Sequence, residues 1–132
     1  MFLIKLPYWL GIAADTLWAI ALFYPPVFGM ITGNPDFSPD LQLKLVMGIG
    51  GSLMTGWTLL LLWAVSKPVE RRMIILLTAF PVVFGMFVIS LIGFLNGNAG
   101  NLWLIVKTTI LMITMVTSYI LAGKLPLENV ET

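Results

Sequence analysis

Residues Gly56-Trp57-Thr58-Leu59-Leu60-Leu61-Leu62-Trp63-Ala64-Val65 belong to a stretch, residues 41–66, in which Lys44 is the only charge. A helix rises about 1.5 Å per residue, so crossing a hydrocarbon core of about 30 Å takes about 20 residues. This stretch is long enough, and three others match it: residues 8–30, 73–96 and 102–123. Leu59 to Leu62 and Met73-Ile74-Ile75-Leu76-Leu77 are apolar on every face, whereas a membrane barrel strand would alternate. In lipid, a helix satisfies its own backbone, so these stretches are read as helices.

The connections, residues 31–40, 67–72 and 97–101, are short and suit antiparallel neighbours. The expected fold is therefore all-α, an integral membrane four-helix bundle forming a single domain over residues 1–132. Composition agrees: 59% of residues are hydrophobic, only 10% are charged, and the mean hydropathy is +1.00. Soluble domains carry about a quarter charged residues.

Cysteine and histidine are absent. That excludes thiol nucleophiles, disulfide exchange, Ser-His-Asp arrangements, His-ligated haem and Cys/His zinc sites. No cofactor and no metal site is expected. The net charge of +1 and the scatter of the basic residues give no reason to expect nucleic-acid binding.

Ser38-Pro39-Asp40 reads as an N-cap, a proline at the first helical position and an acid at the positive end of the helix dipole. Asn96-Gly97 supplies a left-handed stop, and Asn101 is placed to cap the last helix. Lys5, Lys67, Arg71, Arg72 and Lys124 fall on the side of both termini, against Lys44 and Lys107 on the other. The positive-inside rule then places both termini in the cytoplasm of a cell-membrane protein. Tyr8, Trp9, Trp63 and Tyr119 are expected as anchors at that boundary, and Trp103 at the opposite one. A cleaved signal peptide is the rival reading of the first stretch, which is too long, holds an acid and lacks a small-residue cleavage site. Residues 25–30 nearly match residues 81–86, but the two copies lie at different depths, which argues against duplication.

Asp15 is the principal candidate. A carboxylate in hydrocarbon costs about 2.5–3.5 kcal/mol and must be offset by burial, partners or protonation. It shares a stripe with Gly11, Ala14, Trp18, Ala19 and Leu22, small enough on the whole for another helix to come close, so its side chain is expected to face inward. Thr58, Thr78, Thr117 and Ser118 are expected at similar depth. Asp15 then reads either as a proton, cation or amine site or as a protonated tie between helices.

Lys107 heads a second polar stripe with Leu111, Thr114, Thr117 or Ser118, and Leu121. Counted from the middle of each stretch, Asp15 lies about 7 Å towards the termini and Lys107 about 7 Å the other way. A direct pair would therefore have to cover about 14 Å. Lys107 is expected instead to snorkel outward, or to meet the carbonyls of Ala21 and Leu22 that Pro25 and Pro26 leave free, beside Tyr24. Lys44 is expected to snorkel and pair with Asp40.

Gly48, Ser52 and Gly56, with Gly51 and Thr55 beside them, form a small-residue ridge, and Gly85, Gly93 and Gly97 form another. These are expected to pack helices, within the bundle in preference to between subunits, with Leu61 on the lipid side. Gly48-Ile49-Gly50-Gly51 lacks the trailing lysine of a phosphate loop. Asp36 and Asp40 are too few oxygens for calcium and suit turn and cap roles. The basic loop at residues 67–72 suits anionic head groups and sets topology.

The first reading is a small multi-pass protein that binds or translocates a small apolar, lipid-like or cationic ligand. Asp15, Trp18, Thr58, Thr78, Lys107, Thr114, Thr117 and Ser118 are its candidate lining. The alternative is an accessory or assembly subunit that joins itself or another membrane protein through the glycine ridges. An intramembrane enzyme ranks third, because one carboxylate with hydroxyls makes no catalytic set. The lipid bilayer is the partner common to every reading.

Overall fold

The computed structural model describes residues 1–97 and 101–125. Its helices are α1 (Phe2–Phe23), α2 (Pro25–Thr32), α3 (Leu41–Val65), α4 (Arg72–Leu77), α5 (Phe84–Leu95) and α6 (Asn101–Lys124), and the described residues contain no strand. A π-helical segment, Thr78–Val83, joins α4 to α5, so that Arg72–Leu95 runs as one apolar rod of 24 residues. Four helices of 22 to 25 residues are thus long and apolar enough to cross a membrane. The protein is an all-α integral membrane four-helix bundle.

Two proline effects set the shape. Helix α1 stops at Phe23, and Tyr24 is extended (φ −123°, ψ 93°). Pro25 then begins α2, where its missing donor is harmless and its fixed φ suits a first turn. The continuous first helix expected over residues 8–30 is therefore two helices, and the first of them begins six residues earlier, at Phe2. Pro81 lies inside the π segment, where it cannot donate and where its ring crowds the preceding turn; one extra residue per turn accommodates it. Gly33 (φ 77°) and Gly97 (φ 91°) hold the left-handed turns that end α2 and α5. Asp40 is itself the N-cap of α3, its Oδ1 accepting from the Leu43 amide at 2.8 Å, so the cap falls two residues beyond the expected Ser38.

Helix α1 packs against α3 and α6, and the π-containing rod packs along α6 and also touches α3, where the Trp57 indole meets Thr78. The tight core lies in the half of the bundle nearest the basic residues, where Tyr8, Ile12, Leu61, Ala64, Ile75, Ala79, Val83 and Met115 cluster. Leu61, expected on the lipid side, is fully buried there. A Cβ on Gly11 would lie 3.2 Å from Leu61 and 3.2 Å from Met115, so the absence of a side chain lets three helices meet.

Tyr8 is fully buried rather than an interfacial anchor. Its hydroxyl reaches the carbonyls of Pro68 (3.1 Å) and Arg71 (3.3 Å), tying the basic loop to α1. Arg71 stacks on Trp63, 3.5 Å from the ring centroid, and donates to the Trp63 carbonyl and to Ser66. Lys67 and Glu70 form the ion pair of this loop at 3.3 Å. Among the described residues it is the only one, and Lys44 forms none with Asp40.

Candidate functional site

Ser118 sets the register between α1 and α6. Its hydroxyl donates to the Ile4 carbonyl at 2.9 Å in the buried interface. The helices are antiparallel, and eleven residues separate Ile4 from Asp15 and Lys107 from Ser118. Equal rises from one fixed point bring Asp15 and Lys107 to the same level. The expected separation of about 14 Å rested on a first span centred too far along the chain. With α1 beginning at Phe2 and ending at Phe23, the same count puts both residues on one side of the midplane and cuts the offset to about 4–5 Å.

The two residues line one cavity of about 130 Å³, together with Trp18, Ile31, Val83, Met86, Leu104 and Thr108. The cavity borders the tight core at Val83, the last residue of the π segment, and reaches Ile31 of α2 beyond the break at Tyr24. Non-helical or distorted backbone at membrane depth is tolerated where it lines a cavity.

Asp15 is only 5% exposed, and its Oδ2 has no hydrogen-bond partner. An unsatisfied buried acceptor is expensive, and more so when charged. Lys107 also borders the cavity, and its Nζ lies 4.6 Å from the Trp103 ring centroid. The ammonium thus rests on an aromatic face one turn nearer the helix start, a cation-π contact. It does not turn to the Ala21 and Leu22 side or pair with Asp15. Trp18 meets Phe28 edge to face, with centroids 6.1 Å apart at 64°.

The remaining candidate residues lie elsewhere. Thr58 faces an apolar groove of about 410 Å³ between α1 and α3, with Thr16, Thr55, Phe23 and Tyr24, and donates to the Met54 carbonyl at 2.8 Å. Thr78 accepts from the Trp57 indole at 3.0 Å and donates to Ile74. Thr114 donates to Leu111, and exposed Thr117 to Ile113. None of these hydroxyls, nor Ser118, lines the Asp15 cavity. Thr108 does, with its own hydroxyl shared between the Leu104 (2.8 Å) and Ile105 (3.1 Å) carbonyls. Sequence reasoning passed over it, although its position next to Lys107 was the available signal.

The glycines divide in the same way. A Cβ on Gly48, Gly56 or Gly85 would meet nothing within 4 Å, and Ser52 is exposed. Among the described residues no other helix covers that ridge of α3, so the expected packing within the bundle is not made there. The close approach uses the neighbouring face, where a Cβ on Gly51 would lie 3.0 Å from the Phe23 ring and one on Gly50 3.3 Å from Leu22. Gly93 does hold a contact, lying beneath the Asn101 side chain.

Among the described residues, no group of three or more acidic residues could hold a metal ion. Comparison with protein-family models, with curated proteins and with solved structures gives no match to this chain.

Proposed function

We propose that this membrane protein binds a small cationic ligand, an amine or a single cation, at Asp15 within the bundle. The single observation that carries the reading is the Asp15 carboxyl itself, buried, lining a cavity, with Oδ2 unpartnered. A carboxylate left in this state favours any cation that can reach it, because pairing recovers what burial took away. The volume of about 130 Å³ excludes a whole lipid from this chamber and leaves room for a small head group. Trp18, Val83 and Leu104 give the chamber apolar walls, and the Lys107 ammonium is occupied at Trp103. Both termini facing the cytoplasm would open the cavity's end of the bundle towards the outer face.

A second reading rests on a separate observation: the open space beside Gly48 and Gly56 on α3 suits a close-packed helix from another subunit. Purification from the native membrane, followed by mass spectrometry of everything that copurifies, separates the two. The ligand reading expects a small basic molecule in the wild type that is lost from Asp15→Asn. A protein partner retained by Asp15→Asn but lost from Gly56→Leu would favour the second.

A further inference from the structure

The Asp15 chamber borders a second space, with Trp18, Met86 and Leu104 as the shared wall. This cavity of about 280 Å³ lies between α2, α5 and the start of α6. Beyond those three residues it is walled mainly by Phe28, Met54 and Ile89. Its hydroxyls are already spent on their own helices: Ser90 donates to the Met86 carbonyl at 2.7 Å and Thr32 to Phe28 at 2.8 Å. The outer space therefore offers mainly apolar and aromatic surface, with the Asn101 side chain also in its lining, while the inner one offers the Asp15 carboxyl, whose buried Oδ2 is unpartnered. A ligand that passes the shared wall and fills both spaces would occupy a site at the lower end of the range of about 300–1,000 Å³ found for small-molecule sites.

Resting on the cation-site reading above, we infer that the ligand is an amphiphilic amine: its ammonium sits at Asp15, and its apolar tail passes Trp18 into the outer cavity. The two-part lining argues for this class over its neighbours. A bare metal ion would find one carboxylate and no further acidic ligands, short of the six or more oxygens that hard cations such as calcium take. An anion would face the Asp15 carboxylate. A neutral apolar molecule would leave the Asp15 carboxyl without a partner. The Trp18 indole, at the junction of the two spaces and braced edge to face by Phe28, is placed to contact the ligand where head meets tail.

The test uses purified full-length protein in detergent and a ladder of probes: methyl-, butyl-, hexyl- and octylammonium, the matched alcohols, 6-aminohexanoate, and sodium and potassium ions. Binding is read by calorimetry, with the alcohols reporting tail partition into micelles. The expected result is binding of the ammonium series that tightens up to about fourfold per added CH₂ before levelling off as the outer cavity fills. Asp15→Asn should erase the difference between amine and alcohol. Met54→Trp, which fills the outer cavity, should weaken octylammonium at least tenfold and leave methylammonium unchanged, a comparison that stands even if Asp15→Asn fails to fold.

Binding of sodium, potassium or methylammonium that depends on Asp15 but shows no gain from a tail would overturn this inference and leave the cation site standing. Tighter binding of 6-aminohexanoate than of hexylammonium would do the same, and would mark a zwitterion site. Equal binding of amines and alcohols would remove both.

Discussion

Asp15 and Lys107, on antiparallel helices, lie at the same level and border one cavity because the Ser118 hydroxyl fixes Ile4 opposite it at 2.9 Å. The chain has no cysteine, so paired cysteines can be introduced without background. Asp15→Cys with Lys107→Cys is expected to be bridged by a short thiol-to-thiol reagent. Asp15→Cys with Thr117→Cys, where Thr117 is exposed on another face, is expected not to be. Bridging of both pairs, or of neither, would contradict the register.

The same hydrogen bond has a stability consequence. Ser118→Ala removes a donor whose carbonyl partner keeps its own helix, so the loss is expected to be about 1 kcal/mol, within the range of single hydrogen bonds. It is measured as a lowered midpoint of thermal unfolding in detergent.

Leu61 is fully buried against Gly11, whereas Leu59 on the same helix is exposed. Leu61→Ala opens a cavity among three helices and is expected to destabilise by about 2–5 kcal/mol. Leu59→Ala, on the lipid side, is expected to leave stability nearly unchanged. Equal effects in a reversible unfolding assay would show that the core lies elsewhere.

Substitutions at glycine separate the two small-residue faces of α3. Gly51→Leu drives a side chain into the Phe23 ring and is expected to prevent folding or lower the yield of folded protein sharply. Gly56→Leu points into open space and is expected to leave the monomer intact, changing only an assembly that uses that face. Light scattering and thermal melts of the purified variants read both effects.

The four spans were legible because length and the absence of charge decide a membrane helix, and neither depends on tertiary contacts. The inward placement of Asp15 was legible for a related reason: a carboxylate is unfavourable against lipid, and its stripe of small residues invites a neighbour. Depth was not. Lys5 and Pro7 read as flanking residues, yet the first helix begins at Phe2 and takes both in, while Tyr24-Pro25 ends it. Those shifts of both ends moved Asp15 across the midplane, to the side of Lys107. Gly48 and Gly51 lie on adjacent faces with equally small neighbours, so spacing alone could not say which would meet Phe23. The threonines were indistinguishable as ligands because each can satisfy itself on its own helix, as Thr58, Thr114 and Thr117 do.

Five of the seven Lys and Arg residues lie at the end that carries both termini. Reporter fusions after Lys67 and after the C-terminal Thr132 are both expected to report the cytoplasm. An external signal from the Thr132 fusion would reverse the orientation of the bundle.

Infrared difference spectroscopy on adding hexylammonium to the purified protein reads the central claim most directly, because a cation arriving at a carboxyl group perturbs its stretching band. The account predicts a difference signal in the carboxyl region that saturates with ligand and is absent from a folded Asp15→Asn variant. No signal at saturating ligand, or the same signal from Asp15→Asn, would contradict the assignment of Asp15 as the binding group.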